Sequence, residues 1–171
     1  MEGVRFDNKE GGVEHGRKPH LDIVDNGRYL LHEDYTHRGL IAKAYINSIQ
    51  YLLDNGKKVI LIYPVPEAGW NVPDYLSRAY WVNPDSVFEE ATASTSYDVF
   101  WDRNERTIDA LDKIEQNDNL YRVRPDNIFC NSSVTGRCIT HSGGDIFYRD
   151  DDHLSDSGAK LLLEQVVEKI R

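Results

Sequence analysis

Basic residues are scarce in this chain. Twenty Lys and Arg stand against twenty-nine Asp and Glu, for a formal charge of -9 and a pI near 5.1. A surface that acidic repels phosphate backbones and anionic lipid, which argues against nucleic-acid or membrane-surface binding. Long hydrophobic runs are missing too, and none approaches the ~20 residues needed to span a bilayer. The first twenty residues are polar and do not read as a signal peptide. Internal repeats and low-complexity linkers are absent.

Cysteine is nearly absent. Cys130 and Cys138 are the only two, and the seven residues between them include Gly136 and two serines, so the loop can fold back. A bond across it would stabilise by roughly 2–3 kcal/mol in the chain-entropy model. The spacing alone leaves this pair open between a disulfide and two free thiols. It does not match a zinc-knuckle spacing, and there is no second cysteine pair.

What is present suits a globular domain. The chain has 171 residues, 40% of them hydrophobic and 11% aromatic, enough for one domain with a real core. Residues 1–33 show no sustained period and read as loop, with a short strand at Arg28–Leu31. Thr36 can cap a helix running to Asn55. Its apolar positions Leu40, Ile41, Ala44, Tyr45, Ile49, Leu52 and Leu53 follow helical spacing, and Asn55-Gly56 stops it.

Val59–Tyr63 is a continuous apolar, β-branched run, which reads as a strand buried on both faces in a parallel sheet. Pro64 and Pro66 end it, and Glu67–Pro73 is expected as a loop. A short helix is expected at Ser86–Ala93 and a longer one at Asp102–Gln116, with Ile108, Leu111 and Ile114 on one face. Leu120–Val123 reads as a second strand that Ile128–Phe129 extends or follows. Asp145–Tyr148 reads as a hairpin arm. Ser155 or Asp156 caps a last helix to Ile170, with Ala159, Leu162, Leu163, Val166, Val167 and Ile170 as its apolar face. This alternation predicts an α/β fold with a parallel sheet.

The segment richest in chemistry is Tyr148-Arg149-Asp150-Asp151-Asp152-His153-Leu154-Ser155. An Asp three residues before a His can fold back across a tight turn and accept the imidazole Nδ1–H. That fixes the tautomer and leaves Nε2 as a base, the orienting role of the acid in a Ser-His-Asp triad. The spacing also fits an acidic N-cap turn with a surface histidine. A carboxylate-rich Ca²⁺ or Mg²⁺ site is a third reading, though the EF-hand pattern is absent.

Asp150 through Ser155, followed by Gly158-Ala159, resembles the last block of SGNH (GDSL) hydrolases. More narrowly, it is similar to the SGNH domain fused behind the membrane domain of bacterial acyltransferase-3 O-acetyltransferases. Phe6-Asp7-Asn8 with Glu10-Gly11-Gly12, Gly56 through Leu61, Tyr63-Pro64-Val65-Pro66-Glu67 and Arg124-Pro125 through Cys130 resemble further segments of that family in its order.

The resemblance implies a flavodoxin-like α/β/α fold, with His153 as catalytic base and Asp150 as its orienting acid. It also implies a Cys130–Cys138 disulfide, a periplasmic or otherwise extracytoplasmic location, and no cofactor or metal. The expected partners are an acyl donor, a glycan acceptor and a parent membrane acyltransferase domain. Asp151 and Asp152 are off the Asp-x-x-His offset, and Ser155 is expected to cap a helix.

One part of that family's pattern is missing. Its members attack with the Ser of a Gly-Asp-Ser block after their first strand, and no such block occurs here. The expectation is therefore that residues 1–171 are a single SGNH-like domain forming the carboxyl-terminal portion of a longer one. The sheet would lack its first strand and helix. The activity implied is acyl transfer or ester hydrolysis on a cell-envelope glycan, with the serine supplied from elsewhere. The rival expectation is a non-catalytic binding module or a degenerate fragment. An incomplete sheet has an open edge, through which two copies could pair.

Other residues are expected to be ordinary. Ser142 follows the cysteine loop instead of a buried strand and is not expected to attack. His15, His20, His32 and His37 read as loop or surface histidines, because their spacing is not that of a helical zinc pair. Asn131-Ser132-Ser133 fits a glycosylation sequon that also arises by chance. Trp70, Trp81 and Trp101 are expected to pack in the core or its rim, with an acyl or sugar cleft as the alternative.

Overall fold

The computed structural model describes residues 6–14, 24–25, 28–29 and 35–170. Two short antiparallel strands, β1 (Val24–Asp25) and β2 (Arg28–Tyr29), come first. Leu30, Leu31, His15, His20 and His32, and the side chains of Thr36, His37 and Leu40, lie outside the described residues.

Helix α1 spans Tyr35–Asp54. It stops where the Asn-Gly pair predicts. Gly56 takes φ +70°, and the Gly56 and Lys57 N–H groups bond back to the Leu53 and Leu52 carbonyls. A left-handed residue after the last turn is the usual way to satisfy terminal carbonyls, and only glycine adopts it at no steric cost.

Strand β3 (Val59–Ile62) then pairs in parallel with β5 (Leu120–Val123), Val59 opposite Leu120 through Ile62 opposite Val123. Between them run α2 (Val72–Val82), a 3₁₀ turn (Pro84–Phe88), β4 (Thr95–Ser96) and α3 (Tyr97–Asp112). After β5 come the one-turn α4 (Asp126–Phe129), β6 (Arg137–Cys138), the hairpin of β7 (His141–Ser142) and β8 (Asp145–Ile146), and α5 (Asp156–Ile170). Strand β6 pairs with β4, and α5 packs along β5. The fold is α/β, as expected. None of its described helices is long and apolar enough to cross a membrane.

Leu61 and Tyr63 enter a core with Ile49 and Leu53 of α1, Phe100, Ile108 and Leu111 of α3, and Leu120 of β5. Arg122, inside β5, points into the same layer. Its guanidinium donates to the Leu111 and Ile114 carbonyls at the carboxyl end of α3, at 3.0 and 2.6 Å, and to the Tyr63 hydroxyl. It therefore caps α3 from the sheet. A second cluster holds Ala68, Val72, Leu76, Ala93, Phe129, Ile139, Phe147 and Tyr148. This cluster carries the loops at the carboxyl end of β3.

Several expectations need correction. Strand β3 is buried on one face only. Ile60 and Ile62 alternate away from the core and remain 43% and 45% exposed, because nothing among the described residues covers that face or pairs with the second edge of the strand. The apolar stripes of α1 and α5 are likewise only partly used. Ile41, Tyr45 and Leu52 of α1 and Leu163, Val167 and Ile170 of α5 stay exposed.

Helix α3 begins at Tyr97, five residues before the expected start, because the Ser96 hydroxyl accepts the Val99 N–H and starts it there. The expected Glu67–Pro73 loop holds as far as Asn71, two residues short of its expected end, and α2 follows. Asn71 caps the helix by accepting the Asp74 N–H, with Pro73 in its first turn. Ser86–Ala93 contains only the 3₁₀ turn, and Ile128–Phe129 is helical, not strand.

Cys130 and Cys138 form a disulfide with an S–S length of 2.03 Å. Its strand, β6, carries Arg137. That side chain bonds to both Glu10 oxygens and to the Ser94 hydroxyl and carbonyl, tying the amino-terminal segment to this loop.

Candidate active site

Residues 148–155 fold on themselves for local reasons. Tyr148 and Leu154 form an antiparallel bridge, and the Arg149 N–H bonds to the His153 carbonyl at 3.0 Å. Inside that turn the Asp150 Oδ1 accepts the backbone N–H groups of Asp152 (3.2 Å) and His153 (2.8 Å). This is the Asx-type local bonding that Asp favours in turns. Ser155 closes the segment. Its hydroxyl donates to the Ile146 carbonyl at 2.5 Å and accepts the Gly158 N–H at 3.2 Å, so it caps α5 as its position suggests.

The turn brings two side chains together. His153 Nδ1 lies 3.0 Å and 3.1 Å from the two Asp150 carboxylate oxygens. The ring is exposed, and Nε2 has no partner among the described residues. Burial raises the Asp150 carboxyl pKa, but the His153 and Asp152 N–H groups and the imidazole more than offset it. The net result lies below the ordinary value of 3.8. Asp150 is thus an anion built to receive an N–H.

Asp152, left out of the catalytic pair on its offset, comes closer than expected. Its Oδ1 lies 2.6 Å from His153 Nδ1. Burial raises its pKa; the nearby imidazole opposes this, and the charges of Asp151, Asp150 and Glu14 add to it. The offset rule missed it because the turn curls residue 152 under the ring. Asp150, Asp152 and His153 each offer a donor atom within 4.8 Å of the others, so these are the residues that could share a cation. A cation on Nδ1 would displace the N–H whose hydrogen bond Asp150 is placed to accept, so the two uses exclude each other. Asp151 points inward and is buried.

The turn is anchored to the end of β3. The Asp151 carbonyl accepts the Ala68 and Gly69 N–H groups at 2.9 and 3.1 Å, and the Asp150 carbonyl accepts the Val72 N–H at the start of α2. Tyr148, fully buried, donates from its hydroxyl to the Pro66 carbonyl at 2.6 Å, and that burial raises its pKa. Asn8 joins from the amino-terminal segment. Its Nδ2 donates to the Ala68 carbonyl at 2.9 Å while Oδ1 accepts the Glu10 and Gly12 N–H groups.

Glu67 sits in the same place and pairs with Arg103 of α3, whose guanidinium also lies over the Phe6 ring. Burial raises the Glu67 pKa; Arg103 opposes it, and the charges of Glu14 and Asp152 add to it. The Pro-x-Pro-Glu spacing marks Glu67 in the sequence, but nothing local marks Arg103, 36 residues away.

The remaining sequence candidates lie elsewhere. Ser142 donates its hydroxyl to Glu90. Asn131 accepts the Gly136 N–H at 2.6 Å inside the disulfide loop. Trp101 packs against the core, and Trp70 is half-buried with its indole N–H on the Ala93 carbonyl at 2.9 Å. Trp81 does not pack as expected and is 81% exposed.

Neither a curated protein nor a solved structure matches the chain. A family model does, and its match runs over residues 5–168, from the Phe6 segment through the Asp150–Ser155 turn and most of α5. That family is described as the SGNH domain fused to AT3 domains. The fold, the Asp–His turn at the end of β3 and this match agree: the chain belongs to the SGNH domain family found fused to AT3 domains.

Proposed function

We propose that this domain is the acid–base half of an acyltransferase or esterase site, working on a glycan of the cell envelope in the periplasm beside a membrane acyltransferase domain. The observation that carries the reading is the His153 Nδ1 contact with both Asp150 oxygens, which leaves Nε2 exposed. In that role Asp150 holds the imidazole tautomer and His153 Nε2 takes the proton of a serine hydroxyl. The serine attacks the acyl carbonyl and keeps the acyl group, while His153 gives the proton to the departing donor and is neutral again. His153 then deprotonates the sugar hydroxyl or water that accepts the acyl group.

The chain contains no Gly-Asp-Ser, and this reading requires a serine supplied by a strand outside these residues. The edge of β3 that is unpaired among the described residues is where such a strand fits. One laid parallel to β3 there would end beside the Ala68–Asp151 contact, at the carboxyl end of the sheet. Ile60 and Ile62 would then be covered by the helix following it, which completes a three-layer flavodoxin-like arrangement. The same edge could pair two copies of the chain, and a clean monomer by light scattering at high concentration removes that use of it.

Two measurements test the reading. The chain alone should hydrolyse p-nitrophenyl acetate no faster than its His153→Ala variant; robust hydrolysis that vanishes in the variant would show that no outside serine is needed. In the intact polypeptide that joins this domain to its AT3 domain, His153→Ala should cost at least about a hundredfold in acyl transfer. Unchanged transfer sinks the catalytic assignment.

A further inference from the structure

The Trp81 side chain, exposed at the end of α2, is not used by the site as described so far. A tryptophan normally buries most of its large apolar surface, and Trp81 is not a single stray residue: exposed Tyr80 lies against it, and exposed rings grouped in this way mark interaction sites. Helix α2 starts at the candidate active site: its first N–H, that of Val72, bonds to the Asp150 carbonyl at 3.3 Å. Trp81 lies nine residues on, roughly 14 Å along the helix axis.

The outward surface between these ends is not bare. Trp70 lies against Tyr75 at the site end, with ring centroids 4.7 Å apart and the planes tilted by 34°. Tyr75, Arg78 and Trp81 then stand three residues apart, one ridge of the helix, and all three are exposed. Tyr80 sits against Trp81, with ring centroids 6.2 Å apart. Asp74 lies beside the ridge and is exposed too.

We propose that this ridge is a saccharide-binding track leading away from the Asp150–His153 turn. The composition chooses the occupant. A lipid surface calls for a continuous apolar face with a basic rim. Here a guanidinium and a carboxylate interrupt the rings, and the chain carries a charge of -9. A pyranose chain presents apolar C–H faces between rows of hydroxyls. Aromatic rings with hydrogen-bonding side chains between them match that alternation. The Tyr75–Trp81 span of about 9 Å covers more than one sugar ring. The inference rests on the dyad as the reacting end, because nearness to that turn gives the track its use.

The test uses the chain labelled with ¹⁵N, whose three indole N–H signals report on Trp70, Trp81 and Trp101. Cellohexaose, chitohexaose and dextran are titrated to millimolar concentration. The expected result is that at least one moves the Trp81 signal while Trp101 stays still, and that Trp81→Ala weakens that binding roughly threefold to tenfold. A Trp81 signal that stays still with all three sugars overturns the proposal, as does equal binding by Trp81→Ala. So does a Trp81 signal that moves only with phosphatidylcholine vesicles. The catalytic reading is judged separately, by acyl transfer of the His153→Ala intact polypeptide. Unchanged transfer there with an intact Trp81 shift condemns the dyad, and lost transfer with a silent Trp81 condemns the track.

Discussion

Replacing His141 with Phe should make the protein more stable, and the reason is visible in its surroundings. His141 is 4% exposed, in β7, and neither ring nitrogen makes a well-formed hydrogen bond among the described residues, although the Val87 backbone lies close enough to favour the protonated ring. A neutral imidazole carries one donor and one acceptor, and each such group buried without a partner costs about 1–3 kcal/mol. Phenylalanine removes both and keeps an apolar ring in place. It is larger, and overpacking takes back about 1–3 kcal/mol. The net expectation is a gain of about 1–2 kcal/mol at pH 8. In urea that moves the unfolding midpoint up by roughly 0.5–1 M.

The pH dependence gives a second check on the same residue. Burial pushes the His141 pKa below 6.5, and the Val87 backbone and the Glu90 carboxylate offset this only in part. The unfolded chain therefore takes up the proton at a higher pH than the native one. Stability rises with pH wherever the unfolded state binds more protons, so wild type loses stability as pH falls through 6.5 toward the lowered native value. The slope is at most about 1.4 kcal/mol per pH unit. His141→Phe has no such proton to take up. The gap between variant and wild type should widen from pH 8 to pH 5.5, which isolates His141 from the other titrating groups. A variant less stable at pH 8, or a gap that does not change with pH, refutes the reasoning.

Two other perturbations follow from the packing. Replacing both cysteines with serine opens the Cys130–Cys138 loop and should cost roughly 2.5 kcal/mol. Calorimetry should then show a melting temperature roughly 5–10 °C lower, and an unchanged one would mean that the loop is held without its bond. Gly158→Ala places a β-carbon against the Phe147 carbonyl oxygen at the start of α5. It should cost about 1–3 kcal/mol by urea denaturation, although alanine is the better helix former; a neutral result would show that the start of α5 can shift.

Much of the candidate site was legible because it is local. An Asp three residues before a His needs only one turn to reach it, and the Asp150 carboxylate holds that turn by accepting the Asp152 and His153 backbone N–H groups. The end of α1 at Asn55-Gly56, the β5 strand and the Ser155 cap were legible for the same reason, since each depends on residues within a few positions of one another. Helix α2 was hidden by its prolines and aromatics, although its Asn71 cap and Pro73 were there to read. Asp152 was excluded by counting offsets, which take no account of how tightly the turn curls.

The sequence by itself carried the resemblance to the family in its motif blocks, and it determined the α/β alternation and the Asp150–His153 pair, because periodicity, caps and short turns are set by neighbouring residues. It also left the cysteines open between bond and thiols, as distance along the chain does not measure distance in space. Tertiary structure alone decided what three remote segments do together. It placed Asn8 on Ala68, Arg103 on Glu67 and the Asp151 carbonyl on the end of β3, contacts that span 36 to 83 residues of chain and have no local signature. It also decided that Ile60 and Ile62 face solvent: their apolar character says that they can be buried, but only the neighbouring elements decide whether they are.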